Sequence, residues 1–356
     1  MSAALRRAER FCERLGLRLP VLLAPMAGAC PPALSAAVAN AGGLGACGAL
    51  QMPPPTIADW AAQFRAASPG GFQINLWVPD PPPRRDAEAE ARMRAFLGQW
   101  GPEVPPEAGD FTPPDFAAQC EAVLAARPVA VSSMMGVFPP DYMARLKAAG
   151  ILWLATVTTV AEGRAAAAAG ADALIAQGAE AGGHRGAFAA QDAERAAVGL
   201  FALVPALCDA VDLPVIAAGG IADARTIAAA LLLGASAVQV GTGFLRAVES
   251  GIAPAWADAL ASAQPEDTML TRAFSGRTGR GLANDYVRAA AAPGAPEPAP
   301  HPVQRGLTQK MREAAVRGND ITRLQAWAGQ AARLAPARPA GEIATGWWDA
   351  ARNLLG

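Results

Sequence analysis

One of the only two histidines in this 356-residue sequence, His184, lies within the stretch QGAEAGGHRG at residues 177–186. Glycines surround it, and Arg185 follows it directly. An imidazole has an unperturbed pKa of about 6.5, so it can accept or donate a proton at neutral pH. Gly182 and Gly183 allow the chain to pass closely over a flat ring, where a side chain would collide. The stretch therefore predicts a proton-transfer residue beside a planar ligand.

A second group of glycines follows two apolar runs further along the chain. Gly219 and Gly220 end one run, and Gly241 and Thr242 end the next. Backbone N–H groups at the start of a helix bind a phosphate well, because they donate hydrogen bonds and carry partial positive charge. Neither loop contains a lysine, so main-chain groups and the Thr242 hydroxyl would hold the phosphate. The alternative is that these glycines only form tight turns.

These residues follow short apolar runs that alternate with longer alanine-rich amphipathic segments, a pattern typical of βα units on a parallel sheet. The pattern predicts eight strands, at residues 21–26, 43–50, 72–77, 128–134, 151–157, 171–177, 214–220 and 237–243. It predicts helices at residues 56–67, 139–149, 159–169, 197–211 and 222–234. Eight such units favour an α/β fold of the (β/α)8 TIM-barrel type over a doubly wound open sheet, which usually has fewer strands.

Two regions interrupt this alternation. Residues 79–115 are rich in proline, which predicts a long, mobile and exposed third βα connection. Residues 246–300 lose strand character and end in a proline-rich stretch, which predicts a small cap or lid insertion after strand 8. We expect a barrel over 1–245, a cap or lid segment over 246–304, and C-terminal helices over 305–356 that pack back on the barrel.

The composition argues against several classes of function. A formal net charge of −1 provides no electrostatic footprint for nucleic acid or an anionic membrane. Five scattered cysteines indicate reduced thiols in a cytoplasmic protein, and the apolar run near the N-terminus is too short to span a membrane. With two distant histidines and no carboxylate cluster, the sequence predicts no metal site. It leaves the oligomeric state open.

In a barrel of this type the active site forms at the carboxyl ends of the strands. The predicted strands end at or near twelve candidate cofactor-binding residues: Ala24, Pro25, Met26, Asn75, Gln177, Gly182, Gly183, Gly219, Gly220, Gln239, Gly241 and Thr242. The Ala-Pro-Met backbone would press against a flat ring, and the amides of Asn75, Gln177 and Gln239 would meet its polar edge. The chain has neither the dinucleotide fingerprint nor a Walker lysine. A phosphate held without them suits a mononucleotide such as FMN, or a sugar phosphate.

Four motifs resemble those of the nitronate monooxygenases, formerly called 2-nitropropane dioxygenases, of a class I-like type: APMAG, AQGAEAGGHRG, PVIAAGGIADARTIAAALLLGASAVQVGTGFL and FSGRTGRG. The resemblance covers residues 18–335. It implies an FMN-dependent barrel enzyme that oxidises alkyl nitronates with O2 to a carbonyl compound and nitrite. It also implies that His184 abstracts a proton from a neutral nitroalkane. The flavin contacts that it implies are Gln177, Gly182, Gly220, Gln239, Gly241 and Thr242.

The chain departs from the family's pattern in two places that concern the substrate. The region HPVQRGLTQKM lacks the tyrosines that the family often carries in its pocket, and only Tyr142 and Tyr286 occur in the whole chain. The run SGRTGR stands where the family usually has serine-glycine-arginine followed by alanine-arginine. Three alternatives stay open: an FMN- and NAD(P)H-dependent reductase of the enoyl-ACP or quinone type, a non-redox barrel for a phosphorylated metabolite, and a flavin carrier without turnover.

The sequence leaves the roles of four charged or titratable residues open. Glu180 either orients a partner or binds a cofactor hydroxyl, or it forms a buried salt bridge. Arg185 holds an anion or a helix end, or it forms a surface ion pair. Positive charge at Arg185 or Arg277 would attract an anionic substrate. His301 lies in the proline-rich segment and is predicted to be non-catalytic.

Overall fold

Eight parallel strands form a closed barrel in the computed structural model, which describes residues 2–356. The strands of the molecule, in chain order, are β1 (Val21–Leu23), β2 (Gly45–Gly48), β3 (Phe72–Trp77), β4 (Ala130–Met134), β5 (Leu152–Val157), β6 (Ala173–Gln177), β7 (Gly183–His184), β8 (Val215–Ala218), β9 (Ala237–Val240), β10 (Thr268–Thr271) and β11 (Gly279–Leu282). The barrel order is β1-β9-β8-β6-β5-β4-β3-β2. A parallel bridge between Leu22 and Leu44, just before β2, closes the ring. The (β/α)8 prediction is confirmed, and each predicted strand contains an observed one.

The helices lie mostly outside the barrel. In chain order they are α1 (Ala3–Leu15), α2 (Pro32–Asn40), α3 (Pro54–Ala67), α4 (Ala87–Leu97), α5 (Phe116–Ala126), α6 (Pro140–Ala148), α7 (Val160–Ala168), α8 (Leu200–Ala210), α9 (Ala224–Leu232), α10 (Pro254–Ser262), α11 (Asp285–Ala290), α12 (Val303–Leu307), α13 (Gln309–Arg317) and α14 (Ala340–Leu355). Helix α14 packs against α9 and α2, so it occupies the gap in the helical ring between β9 and β1. Within residues 2–356, none of the helices has both the length and the apolar character that a membrane crossing requires.

Local sequence signals set the helix ends. The Asp223 carboxylate accepts a hydrogen bond from the Thr226 N–H, and the Thr226 hydroxyl bonds back, so a capping box begins α9. Gly150, Gly170 and Gly234 follow α6, α7 and α9 with φ of +71°, +94° and +116°. Only glycine adopts such angles without strain, which is why each of these helices stops there and turns into the next strand.

The core has an outer and an inner part. The outer part lies between the sheet and the ring of helices and contains most of the buried apolar side chains. The inner part fills the barrel near its amino end, where Phe11 and Leu15 of α1 pack with Leu22, Leu154 and Ile216. All five cysteines are free thiols, and four of them are buried. Helix α1 therefore closes the amino end, which leaves the carboxyl end as the open side of the barrel.

The two regions that interrupt the strand–helix alternation are more ordered than the sequence predicts. Strands β10 and β11 form an antiparallel hairpin within residues 246–300, so the expected loss of strand character there is wrong. Strand β11 also pairs with β7, which brings this hairpin onto the histidine loop. Residues 79–115 contain α4, whose Met93 and Leu97 are buried against Phe274 and Val303. The predicted exposure of that connection is therefore wrong for one face of α4, which apolar side chains of the later segment cover, whereas the other face of α4 is exposed.

Candidate active site

A cavity of about 620 Å³ opens at the carboxyl end of the barrel. Every residue that the sequence predicts for the site lines it: Ala24, Pro25, Met26, Asn75, Gln177, Gly182, Gly183, His184, Gly219, Gly220, Gln239, Gly241 and Thr242. They come from the ends of β1, β3, β6, β8 and β9 and from the loop after β6. Parallel strands of a barrel end at the same rim, so residues far apart in sequence converge on one cavity.

The glycine turns after β8 and β9 expose main-chain donors to this cavity. Gly219 and Gly220 have φ of +116° and +67°, and a Cβ on Gly219 would lie 2.9 Å from the Ala181 nitrogen. The N–H groups of Gly219, Gly220 and Gly241 form no hydrogen bond to any residue within 2–356. The Thr242 hydroxyl accepts a hydrogen bond from the N–H of Gly329 and keeps its own proton to donate. Unpaired donors in a turn without side chains suit an anion such as a phosphate.

The three predicted amides differ in how many polar atoms they leave free. The Asn75 amide nitrogen donates to Ser132, which leaves its carbonyl oxygen available. The Gln239 oxygen accepts from Gln73 at 2.9 Å, which leaves its amide nitrogen available. Gln177 uses both ends within the protein, since its nitrogen donates to the His184 carbonyl and its oxygen accepts from the N–H of Gly186. Asn75 and Gln239 therefore offer an acceptor and a donor, and Gln177 holds the histidine loop in place.

His184 is held by contacts on several sides. It lies opposite Gly279 in the pairing of β7 with β11. Its Nε2 lies 2.7 Å from the Ser275 Oγ, and its ring centre lies 4.7 Å from that of Trp77 and 4.9 Å from that of Trp327, both in edge-to-face geometry. Both tryptophans line the cavity. The ring is therefore fixed beside the cavity by one hydrogen bond and two aromatic faces.

The surroundings of His184 disfavour its charged form. Burial is the largest cause, and it lowers the pKa of His184 well below 6.5. The other groups that act on it are the cations Arg305, Arg277 and Arg312, together with His301, and each lowers the pKa further. The imidazole is therefore neutral at pH 7 and has a free lone pair with which to accept a proton.

The glycine at position 182 is required by a close backbone approach. A Cβ there would lie 2.6 Å from the carbonyl carbon of Ala328, so the loop runs directly against residues 328–329. Gly183 differs, since it has φ of +76° and nothing within 4 Å of an added Cβ. The sequence argument assigns both glycines to a flat ring. In this structure position 182 must be glycine because the protein's own backbone at residues 328–329 leaves no room for a Cβ. Gly183 faces open space.

The arginines that the sequence singles out do not line the cavity. Arg185 is buried, and it donates to the carbonyls of Gln177 and Gly178, so of its two interpretations the surface ion pair is wrong. Arg277 is only 2% exposed and forms an ion pair with Asp80. Both guanidinium groups are buried and bind other groups of the protein, so they do not face a substrate. Arg185 holds the histidine loop in place, and Arg277 holds the residues after β10.

Other arginines supply the positive charge at the cavity: Arg305, Arg312 and Arg317. Within residues 2–356 neither Arg305 nor Arg312 forms an ion pair, and the buried Nε of Arg305 has no hydrogen-bond partner. Burial, followed by repulsion from Arg312, lowers the pKa of Arg305 to about 10. Sequence analysis misses these residues because nothing local distinguishes them from the other arginines of the chain.

The structure also shows which contacts Glu180 and His301 make. The Glu180 carboxylate accepts from the N–H of Leu200 at 2.9 Å and so caps α8; in residues 2–356 it has no salt-bridge partner. His301 does not line the cavity; its ring packs against Trp77, and its Nδ1 lies 3.9 Å from an Asp80 oxygen. The described part of the chain contains no group of three or more His, Cys, Asp or Glu side chains that could hold a metal ion.

A family model and a related sequence indicate the same family. A family model described as nitronate monooxygenase matches residues 9–345. A nitronate monooxygenase of Pseudomonas aeruginosa is 40% identical over 341 residues, which are 94% of this chain and 97% of that protein. The structure of a nitroalkane oxidase from Streptomyces ansochromogenes matches with a TM-score of 0.87 and 36% identity, over 98% and 100% of the two chains. The structure of FabK from Thermotoga maritima matches with a TM-score of 0.76 and 28% identity, over 97% and 96%.

Proposed function

This chain belongs to the nitronate monooxygenase family and is a flavin-dependent oxidoreductase, and from that premise we propose that it uses FMN and O2 to oxidise alkyl nitronates to a carbonyl compound and nitrite. The observation that carries this proposal is the cavity itself. It combines unpaired main-chain donors, a neutral histidine and unpaired cations. An anion-binding turn, a proton acceptor and positive charge are what a phosphorylated cofactor and an anionic substrate require.

The donor set of the cavity fits FMN. The N–H groups of Gly219, Gly220 and Gly241, with the Thr242 hydroxyl, would hold a single phosphate, and the free amide groups of Asn75 and Gln239 would meet the polar edge of the ring system. A bound flavin supplies the electron acceptor for the nitronate and the means of passing electrons to O2. The chain's own residues bind the cofactor, orient the substrate and exclude water.

Substrate binding follows from the charge and shape of the rest of the cavity. A nitronate is a delocalised anion, and the guanidinium groups of Arg305 and Arg312 line the cavity without forming an ion pair in residues 2–356. Trp77 and Trp327 flank His184 and exclude water from one side of it. An alkyl group packs against such faces, while the anionic nitro group lies toward the arginines. For a neutral nitroalkane, His184 removes the Cα proton and so forms the nitronate within the site.

Two measurements on the purified protein test this function. We expect a yellow protein that releases FMN on denaturation, and aerobic mixing with ethyl nitronate that consumes O2 and forms nitrite. A colourless protein that does not bind added FMN would contradict the cofactor, and a flavoprotein that leaves nitronates unchanged would contradict the reaction.

The reductase alternative is tested with the same preparation. The likeness to FabK, at 28% identity, keeps that alternative open at lower similarity than the nitroalkane oxidase. Anaerobic addition of NADH separates the two reactions: rapid bleaching of the flavin without any nitronate turnover favours the reductase. Slow or absent bleaching together with fast nitronate oxidation favours the nitronate monooxygenase.

The pH dependence tests the state of His184. We expect kcat/KM for a neutral nitroalkane to stay level from about pH 8 down to about pH 6.5, because burial keeps the pKa of His184 below the ordinary value of about 6.5. Protonation removes the lone pair that accepts the substrate proton, so the rate falls only at lower pH. The measurement is a pH–rate profile of oxygen uptake with nitroethane. A fall centred above pH 7 would contradict the neutral, buried imidazole.

A further inference from the structure

We infer that Ser275 is a positioning residue that fixes which ring nitrogen of His184 accepts the substrate proton, an inference that rests on the proposed role of His184. Ser275 is 1% exposed and does not line the cavity. Its Oγ lies 2.7 Å from the Nε2 of His184. Within residues 2–356 it is the only hydrogen-bond partner of the imidazole.

The hydrogen bonds of Ser275 decide the direction of this contact. A serine hydroxyl has one proton to donate and two lone pairs with which to accept. The Ser275 Oγ lies 3.2 Å from the carbonyl oxygen of Arg277 and 3.4 Å from its nitrogen. If the hydroxyl donates to the carbonyl, it accepts from the Arg277 N–H and from an Nε2–H of His184, and every group is satisfied. The reverse direction leaves the buried carbonyl of Arg277 without a partner, which is costly.

The satisfied arrangement places the ring proton on Nε2 and the free lone pair on Nδ1. No group of the described residues bonds Nδ1. When a neutral nitroalkane reacts, the Cα–H bond breaks, the proton moves to Nδ1, and the electron pair delocalises onto the nitro group to give the nitronate. The imidazolium that forms keeps its Nε2–H bond to Ser275. Because a hydrogen bond to the charged form favours that form, Ser275 also stabilises the imidazolium.

That stabilisation matters because the charges around His184 oppose the imidazolium. The groups that act on the ring are Arg277 beside Ser275, Arg305 on α12, Arg312 on α13, and His301 before α12. Every one of them lowers the pKa of His184. The Ser275 hydroxyl is therefore the group that accepts a hydrogen bond from the charged ring.

The fold holds Ser275 rigidly enough for this role. The Arg277 Nε donates to Asp80 at 2.9 Å, which ties the turn after β10 to the loop after β3. Gly276 has φ of +82°, and a Cβ there would lie 2.5 Å from the His301 nitrogen. The turn is therefore held at the two residues that follow Ser275, and its hydroxyl has a defined position relative to β7.

Nitrogen NMR of the imidazoles tests the inference directly. With only two histidines in the chain, the signals of His184 can be assigned by comparison with the variant His301→Gln. We expect an Nε2 that carries the proton and an unprotonated Nδ1 in the wild-type protein, and a mixture of both tautomers in Ser275→Ala. An unprotonated Nε2 in the wild-type protein would overturn the inference. This readout does not need turnover, so it stands apart from the proposed function.

Kinetics of the holoenzyme supply the second readout. We expect Ser275→Ala to lower kcat/KM for nitroethane about 10- to 100-fold, to leave oxidation of preformed ethyl nitronate within about twofold, and to move the acid limb of the pH profile to lower pH. Ser275→Thr keeps a hydroxyl and should restore most of the nitroethane rate. Equal loss on both substrates, an unchanged acid limb, or no rescue by threonine would each overturn the inference.

A matched variant separates positioning from general stability. Ser68 is 4% exposed and accepts a hydrogen bond from the N–H of Gly70 at 3.0 Å, outside the cavity. Ser68→Ala removes a buried serine contact of the same kind, and we expect both substrates to react at wild-type rates. If the wild-type holoenzyme does not oxidise nitronates, the proposed function is wrong. If the wild-type holoenzyme oxidises nitronates but Ser275→Ala turns over nitroethane at the wild-type rate, only the positioning role of Ser275 is wrong.

Discussion

Replacing His184 with asparagine should reduce turnover of a neutral nitroalkane about 100- to 10,000-fold, the range that a positioned general base contributes. Asparagine has a similar shape and keeps a polar group near Ser275, but its amide cannot accept the Cα proton. Oxidation of a preformed nitronate needs no proton removal and should fall much less. The measurement is kcat/KM for nitroethane and for ethyl nitronate, each followed by oxygen uptake on protein of known flavin content.

The second histidine of the chain provides the matched control for this experiment. His301 contacts Trp77 and lies near Asp80 but does not line the cavity. We expect His301→Asn to retain nitroethane turnover within a few-fold. Equal loss on nitroethane and ethyl nitronate in His184→Asn would contradict the role of His184 as a base and would indicate that the ring only shapes the cavity.

Replacing Gly182 with alanine should destabilise the protein and reduce its flavin content. The added Cβ would lie 2.6 Å from the carbonyl carbon of Ala328, and a backbone neighbour cannot turn aside as a side chain can. Either the histidine loop or the segment at 328–329 must move, and both line the cavity. Overpacking of this kind costs about 1–3 kcal/mol or more of the free energy of unfolding. Thermal unfolding and the ratio of flavin to protein after gel filtration measure the two effects.

Gly98 offers a glycine-to-alanine control outside the cavity. It follows α4 with φ of −60°, and the nearest atom to an added Cβ lies at an ordinary 3.5 Å. Gly98→Ala should therefore leave the melting temperature and the flavin content close to those of the wild-type protein. A Gly182→Ala protein with wild-type stability and full flavin content would show that the histidine loop tolerates a shift of its backbone.

Most of the barrel follows from local patterns in the chain. Apolar runs of the right length, alternating with amphipathic segments, predict all eight strands, and β3 is predicted to the residue. Prediction fails at β10, β11 and α4. Strand β11 pairs with β7, and α4 packs against Phe274 and Val303, all of them distant in sequence, whereas β10 forms a local hairpin with β11. Strands β10 and β11 are only four residues long, which is too short for an alternating pattern to stand out, and α4 lies inside a proline-rich connection. Two expectations stay predictions: the division into barrel, cap and C-terminal helices, and the cytoplasmic location. The oligomeric state stays undetermined.

The position of a residue in the chain predicts whether it lines the cavity. Its position does not predict which residues it bonds in the folded protein. The candidate residues sit at strand ends, and strand ends of a parallel barrel must meet at one rim, so their convergence is a consequence of topology. The contact of Ser275 with His184 joins residues 91 positions apart, and nothing in either segment predicts it. Arg305 and Arg185 illustrate the same limit, since one faces the cavity unpaired and the other is buried among carbonyls.

Local chemistry in the chain therefore determines the strands, the positive-φ glycines and the choice of His184 as the candidate base, because each depends on the backbone and side chain of a few neighbouring residues. The folded arrangement alone decides the protonation state of that histidine, its serine partner and the source of positive charge at the cavity. These properties depend on burial and on distances between residues that are remote in the chain, which no short stretch of sequence contains.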